Sequence, residues 1–163
     1  ARATKAAMGA LYPNEQIDEI LFWMEREGRL GRKAGAGFFN YNEKGKREGF
    51  WKGLEEKYPL SKTIPAFEDV QHRLMFIQAL EAVRALEEGV LMDIREGDVG
   101  AILGWGFAPW SGGPLSWLDI LGTPYAAERC QALCETYGPR FECPPLLADM
   151  GKKNEAFYKR FSP

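Results

Sequence analysis

Apolar residues recur at helical spacing along most of the chain, and no other feature limits the fold as strongly. The first run predicts a helix that Asn14 caps and Gly28 ends, with an apolar face formed by Ile17, Ile20, Leu21 and Met24. A longer run predicts a helix with one buried stripe, formed by Phe67, Val70, Leu74, Ile77, Leu80, Val83, Leu86 and Val90. We therefore predict an all-α fold.

Capping and helix-ending residues predict shorter helices in the second half. Asp93, with Glu96 three residues later, is typical of a helix start, and this helix is expected to end near Gly104. The same signals predict a helix over 114–121 that Gly122 ends. Two further helices are expected, one capped by Thr123 with Pro124 at its first position and ending at Gly138, and one starting at Pro144 and Pro145.

One segment has the composition of strands. Residues 37–50 place aromatic residues on both sides of Gly45, which predicts a small irregular hairpin. Between Gly45 and Pro65 the composition becomes polar, with a short helix expected near 51–58. We place the boundary between two helical units there, as residues 1–62 and 63–163.

Composition excludes several classes of protein. A net charge of −2 over 163 residues gives no reason to expect a nucleic-acid partner, and there is no apolar run of membrane-spanning length. The chain begins without Met or a signal-peptide pattern, which indicates a piece of a longer or processed protein. Its three cysteines are expected to be reduced, intracellular and used for packing rather than for a metal. They are Cys130, Cys134 and Cys143.

Two glycine-rich stretches invite a dinucleotide-binding interpretation, which the flanking sequence does not support. Such a loop needs a buried strand before it and a helix after it, so that the helix N-terminus meets the pyrophosphate. Gly35 and Gly37 follow a charged stretch and precede aromatic residues, whereas Gly104 and Gly106 follow a predicted helix. We predict turns that direct a bulky aromatic side chain into the core.

The inventory of reactive side chains is small. His72, the only histidine, lies in a predicted helix without a nucleophile or a carboxylate at triad spacing. The charge-rich stretches 24–33 and 43–57 mix both signs and are typical of solvated faces. They remain candidates for a basic rim around a phosphorylated ligand.

Three segments, in order, resemble one enzyme family. "GRLGRKAGAGFFNY" resembles the Gly-Arg-Lys-x-Gly-x-Gly-Phe-Tyr-x-Tyr segment in the C-terminal region of 3-hydroxyacyl-CoA dehydrogenases. "EAVRALEEGVLMDIREGDVGAILGWGFAPWSGGPLSWLDILG" and "YGPRFECPPLLADMGKKNEAFY" are similar to the second C-terminal repeat and the tail of the multifunctional fatty-acid β-oxidation enzymes. The resemblance extends from about Ile17 to the end of the chain.

The resemblance implies a non-catalytic part of an NAD-dependent enzyme. In the family, an upstream Rossmann domain binds NAD and holds the catalytic His–Glu pair, and neither has a counterpart here. The chain is then the end of one helical repeat plus a complete second one. The implied partners are its own Rossmann domain, an acyl-CoA substrate and a thiolase subunit. The implied location is cytoplasmic in a bacterium and mitochondrial or peroxisomal in a eukaryote.

The resemblance also suggests site residues. Relatives can carry a substrate-associated tyrosine where this chain has Leu103, which keeps the apolar contact but lacks the hydroxyl. Trp105, Phe107 and Trp110 are candidates for an acyl-facing wall, and Arg32 and Lys33 for contact with a CoA phosphate. The glycines assigned to structural turns are Gly35, Gly37, Gly104, Gly106, Gly112 and Gly113.

Three alternatives stay open from the sequence. The chain could be a stand-alone helical interaction module, a self-contained acyl-CoA-binding domain with the aromatic turn as its pocket, or part of another hydroxyacid dehydrogenase with a helical second domain. The tail segment argues most strongly against the last of these.

Overall fold

The computed structural model describes residues 2–12 and 15–161, and it forms two compact units, Ala1–Ile64 and Pro65–Pro163. Both are mainly helical, with a single two-stranded hairpin in the part described, so the all-α prediction is confirmed. Asn14, the predicted cap, lies outside the described residues. Within them no helix is long and apolar enough to cross a membrane.

The described part of unit 1 contains three α-helices, a loop and a hairpin. The helix that contains Trp23 ends where Gly28 adopts φ +69°, and the Arg29 N–H then donates to the carbonyl of Met24 at 2.8 Å. The hairpin pairs Phe39 with Phe50 in antiparallel register. The elements are α1 (Arg2–Met8), α2 (Glu15–Arg26), β1 (Phe39–Tyr41), β2 (Arg47–Phe50) and α3 (Lys52–Lys57), with 3₁₀ turns at Gly9–Leu11 and Arg32–Ala34.

Arg29 holds the loop of unit 1 in place. Its Nε donates to the carbonyl of Gly37 at 2.7 Å, and its Nη2 donates to the carbonyl of Phe39 at 3.2 Å. The guanidinium also lies 4.4 Å from the ring centre of Trp51, which stacks on Trp23 at 5.1 Å. Arg29 therefore joins the loop and the hairpin to Trp51, and Trp51 in turn contacts α2 through Trp23.

Unit 2 contains the larger core. Its helices are α4 (Phe67–Glu87), α5 (Ile94–Trp105), α6 (Pro114–Leu121), α7 (Thr123–Tyr137), α8 (Pro145–Lys153) and α9 (Phe157–Arg160), with 3₁₀ turns at Pro109–Ser111 and Pro139–Phe141. Large side chains from several of these elements are fully enclosed, among them Phe76, Phe107, Leu115, Leu118, Leu133, Leu147 and Phe157.

The buried face of α4 differs from the predicted stripe. Of the predicted residues only Leu80 and Val83 are buried, whereas Phe67, Leu74 and Val90 are exposed. The helix carries apolar residues on two sides, and periodicity alone cannot tell which side the neighbouring helices cover. The residues that face the core are His72, Met75, Phe76, Ala79, Leu80 and Val83.

The predicted end of α5 near Gly104 is confirmed, whereas one turn glycine and one cap are wrong. α5 ends at Trp105, so Gly104 is helical rather than a turn residue, and the left-handed residue is Gly106, with φ +79°. Thr123 is the first residue of α7 rather than its cap. Its hydroxyl donates to the carbonyl of Glu155 at 2.8 Å, which fixes the end of α8 instead.

Candidate functional site

The turn between α5 and α6 is built around the buried carboxylate of Asp98. This carboxylate accepts the backbone N–H groups of Leu115 at 2.8 Å and Ser116 at 3.0 Å, both in the first turn of α6. It also accepts the hydroxyls of Ser116 at 2.6 Å and of Tyr158 at 2.9 Å. Asp98 thereby satisfies the free N–H groups of α6 and ties α5, α6 and α9 together.

Gly113 allows this close approach. It has φ +119°, and a Cβ at this position would lie 2.3 Å from the Cβ of Asp98. The preceding Ser111 donates its hydroxyl to the carbonyl of Ala108 at 2.6 Å, and Gly112 also has a positive φ. The Ser-Gly-Gly-Pro sequence is therefore explained by a tight turn pressed against a carboxylate.

An open groove of about 470 Å³ lies beside this turn. Two apolar side chains at its edge, Trp110 and Ile120, are 66% and 69% exposed. The carboxylate of Asp119 is occupied, because it accepts the N–H groups of Phe157 at 2.7 Å and Tyr158 at 3.0 Å. The groove therefore offers apolar and aromatic contact. Its lining is Trp110, Ser111, Gly112, Ser116, Asp119, Ile120 and Tyr158.

The predicted acyl-facing residues do not come together in one pocket. Trp110 lines the groove, whereas Leu103 and Trp105 lie at the end of α5 and are 80% and 63% exposed. The Trp105 indole N–H donates to the Oε1 of Gln78 at 3.1 Å. Phe107 is 2% exposed and belongs to the core, so it cannot touch a ligand in this structure.

The other predicted residues lie in unit 1. Arg32 and Lys33 are exposed in a 3₁₀ turn, which Gly35 ends with φ +71°. Gly37 has an ordinary φ, but a Cβ there would lie 2.9 Å from the Cα of Gly31. The close approach of the backbone at these two positions therefore requires glycine at position 37. A groove of about 390 Å³ opens beside the loop, and its apolar lining includes Leu21, Met24, Leu30, Phe38, Phe39 and Tyr41.

His72 belongs to a polar cluster between α4 and α7. The Nε of Arg129 donates to Nδ1 of His72 at 3.1 Å, and Arg129 also pairs with Asp69 at 2.6 Å. Tyr137 donates its hydroxyl to the second oxygen of Asp69. Burial lowers the pKa of His72, and the charge of Arg129 lowers it further. Neutral His72 thus serves as an acceptor that orients Arg129.

The three cysteines are free thiols, and Cys130 is buried. The Cys130 thiol interacts with that of Cys143. That interaction, together with burial, raises the pKa of Cys130, which keeps its thiol protonated. Within residues 2–12 and 15–161, no three His, Cys, Asp or Glu side chains are grouped to hold a metal ion.

Sequence reasoning missed the two polar centres of unit 2. Asp98 could have been flagged, because it shares the apolar face of α5 with Ile94 and Ala101. The Asp69–Arg129 pair gives no such signal, since its members are separated by 60 residues.

Comparison with known proteins shows what the chain is related to. No family model matches the chain. The chain is 36% identical, over 152 residues and 90% of its length, to the fatty acid oxidation complex subunit alpha of Vibrio vulnificus (strain CMCP6). It spans 20% of the length of that curated relative. The resemblance predicted from the three motifs is thus confirmed, and the chain is a relative of one segment of the alpha subunit of a fatty acid oxidation complex.

Proposed function

We propose that the chain is a helical part of a multifunctional β-oxidation protein and belongs to its NAD-dependent 3-hydroxyacyl-CoA dehydrogenase. The observation that carries this proposal is the 36% identity over 90% of the chain. In the longer protein the chain would pack against the NAD-binding Rossmann domain and close one side of the acyl-CoA cleft. Its second unit would stand in for the partner subunit of single-function relatives.

Exposed apolar side chains in unit 2 support a role as a platform. Leu74, Leu103 and Trp105 are 62%, 80% and 63% exposed, and Trp110 adds a further aromatic ring at the groove. Where exposed apolar side chains form a contiguous patch, the patch often marks a surface that a partner or a ligand covers. We propose the Rossmann domain and the acyl chain as what covers them, with Lys33 directed to a CoA phosphate.

In this proposal the chain provides a packing surface and has no catalytic role of its own. In the part described, His72 and Asp98 are both engaged in structural hydrogen bonds, and the Cys130 thiol is held protonated. We therefore expect no oxidation of NADH when the purified chain is mixed with acetoacetyl-CoA, with an intact 3-hydroxyacyl-CoA dehydrogenase as positive control. Turnover above the blank would refute the non-catalytic assignment.

A second experiment separates the platform from an acyl-CoA-binding module. Titration of the chain with an acyl-CoA in a calorimeter should give no measurable heat if the cleft needs the Rossmann domain. Micromolar affinity that Trp110→Ala abolishes would favour the binding module.

The proposal also includes a thiolase partner. It places the protein in the cytoplasm if the organism is a bacterium, and in the mitochondrion or peroxisome if it is a eukaryote.

A further inference from the structure

Two cysteines of unit 2 come together at its core although a turn of the chain separates them. Cys130 faces the core from α7 and shares its buried face with Ala126 and Leu133. Cys143 lies in the segment between the 3₁₀ turn at Pro139–Phe141 and α8, and it packs against the same core cluster. The thiols of the two cysteines interact. This contact joins the middle of α7 to the segment that leads into α8.

The path of the backbone explains why the two thiols meet. From Cys130, α7 continues to Tyr137, a rise of about 10 Å. Gly138 then turns the chain with φ +94°, and the 3₁₀ turn that follows buries Phe141. Residues 138–143, at up to about 3.3 Å each when extended, are long enough to return over that distance. The chain therefore brings position 143 back beside position 130.

Two side chains of α4 hold the segment that carries Cys143. Nη2 of Arg84 donates to the carbonyl of Glu142 at 2.9 Å, and Oε1 of Glu87 accepts the N–H of Leu146 at 2.9 Å. One bond lies before Cys143 in the sequence and the other after it. The segment is therefore tied to α4 on both sides of the thiol, which keeps Cys143 at the core.

The two thiols differ in exposure and in protonation. Cys130 is fully buried and stays protonated, whereas Cys143 is partly exposed. The interaction with Cys130 lowers the pKa of Cys143 and the guanidinium of Arg84 lowers it further, whereas burial and the carboxylate of Glu87 raise it. The thiolate is the reactive form of cysteine towards peroxides. Cys143 is therefore the thiol of this pair that an oxidant in solution meets first.

The third cysteine is a poor partner for Cys130. Cys134 lies four residues further along the same helix. Side chains at this spacing have Cβ atoms about 5–6 Å apart, whereas a disulfide needs about 3.5–4.5 Å. A bond between these two cysteines would require α7 to unwind. Cys130 and Cys143 lie on separate segments and have no such restriction.

We propose that Cys130 and Cys143 form a peroxide-sensitive modification site that closes into a reversible disulfide. The Cys143 thiolate attacks one oxygen of a hydroperoxide, and the O–O bond breaks. Cys143 becomes a sulfenic acid, and the other oxygen leaves with its electron pair and takes up a proton. The sulfur of Cys130 then attacks the sulfenic sulfur, and the Cys130 proton leaves with the hydroxyl group as water. Two thiols are thereby oxidised by two electrons, and the peroxide is reduced.

This inference goes beyond the proposed function and does not depend on it. In a compartment that keeps most thiols reduced, a disulfide of this kind is transient and responds to oxidant. Because Cys130 is already beside Cys143, it intercepts the sulfenic acid before a second peroxide converts it irreversibly to the sulfinic acid.

Peptide mass spectrometry of the whole chain tests the proposal. The reduced chain is treated with equimolar hydrogen peroxide, alkylated and digested with trypsin, which separates residues 130–140, with Cys130 and Cys134, from residues 141–152, with Cys143. We expect these two peptides to be joined within one chain, one thiol to remain free, and dithiothreitol to reverse the change. Peptides that stay separate, or Cys143 recovered as sulfinic acid, would overturn the proposal.

Matched variants identify the partner of Cys143. Cys134→Ser should still give the joined peptides, whereas Cys130→Ser should lose them and let Cys143 continue to the sulfinic acid. Loss of the joined peptides in Cys134→Ser would assign the bond to Cys134 and contradict the proposal. Thermal unfolding of each reduced variant is compared first, and Cys130→Ala replaces a serine variant that destabilises the buried site.

Thermal unfolding also reports whether the folded chain accommodates the bond. The disulfide closes a loop of about 14 residues, so oxidation should raise the midpoint of unfolding by several degrees, and reduction should reverse the rise. Cys130→Ser, treated in the same way, should show no such rise. An unchanged or lowered midpoint in the oxidised natural chain would show that the bond distorts the fold, and it would count against a site built for it.

Discussion

At Gly113 the backbone has φ +119°, and the Cβ of Asp98 lies where a side chain would begin. Gly113→Ala must therefore strain the backbone and displace Asp98 from the N-terminus of α6. We expect a loss of about 3 kcal/mol or more in the free energy of unfolding, measured by urea denaturation. A loss below about 1 kcal/mol would show that the turn can relax around a methyl group.

Gly100 provides the matched control. It lies inside α5, on an exposed face where a Cβ would meet no atom within 4 Å. Gly100→Ala should raise the free energy of unfolding by up to about 1 kcal/mol, because alanine favours helix more than glycine does.

His72 makes the stability of unit 2 depend on pH. Its lowered pKa means that the folded chain resists protonation more than the unfolded chain does. The His72 contribution is therefore complete above the unfolded pKa of about 6.5 and is lost as pH falls below that value. Protonation would also end the hydrogen bond from Arg129. The charged groups facing the ring are Glu68, Asp69 and Arg129.

The measurement is a series of unfolding curves between about pH 5 and pH 8. The natural chain should lose stability towards the acid end of this range. His72→Gln keeps an acceptor for Arg129 but does not titrate, so its curve should be flatter. Parallel curves for the two proteins would assign the acid sensitivity to other groups.

On the scale of elements, α4 carries both buried and exposed apolar residues. Leu80 is fully buried, whereas Leu74 is 62% exposed, although both belong to the same predicted stripe. Leu80→Ala should cost about 2–5 kcal/mol of unfolding free energy, and Leu74→Ala less than about 1 kcal/mol. Equal costs in chemical denaturation would mean that Leu74 is covered in solution.

Local signals located most helices and the hairpin, because their evidence lies within a few residues. Gly28 and Gly122 each end a helix as expected, and Asp93 caps α5 by accepting the N–H of Arg95. Contacts between elements that are distant in sequence could not be predicted from these local signals. The buried side of α4 depends on helices distant in sequence, and Asp98 receives Tyr158 from 60 residues away.

The candidate site was the least predictable part, for the same reason. Leu103, Trp105, Phe107 and Trp110 are close in sequence, yet a helix end and a turn separate their side chains. A pattern of aromatic residues identifies such a segment but cannot tell which ring faces solvent. Phe107 entered the core, and the others stayed exposed.

On the scale of the whole molecule, the two units differ in how much core they hold. Among the described side chains of unit 1, Met24 is the one buried apolar residue, whereas unit 2 encloses a cluster that extends from Met75 to Phe157. Small domains with little core rarely fold alone, because conformational entropy exceeds what burial can offset. We therefore expect unit 2 to fold when produced alone and unit 1 not to.

We predict that residues 65–163 produced alone unfold cooperatively on heating, with dispersed amide signals in NMR spectra. Residues 1–64 produced alone should show the narrow amide dispersion of an unfolded chain, since their aromatic stacks and Arg29 contacts add little to one buried methionine. A cooperative transition in the smaller piece would mean that the Trp23–Trp51 stack and the hairpin suffice as a core. Loss of cooperativity in the larger piece would mean that its core depends on unit 1 for its packing.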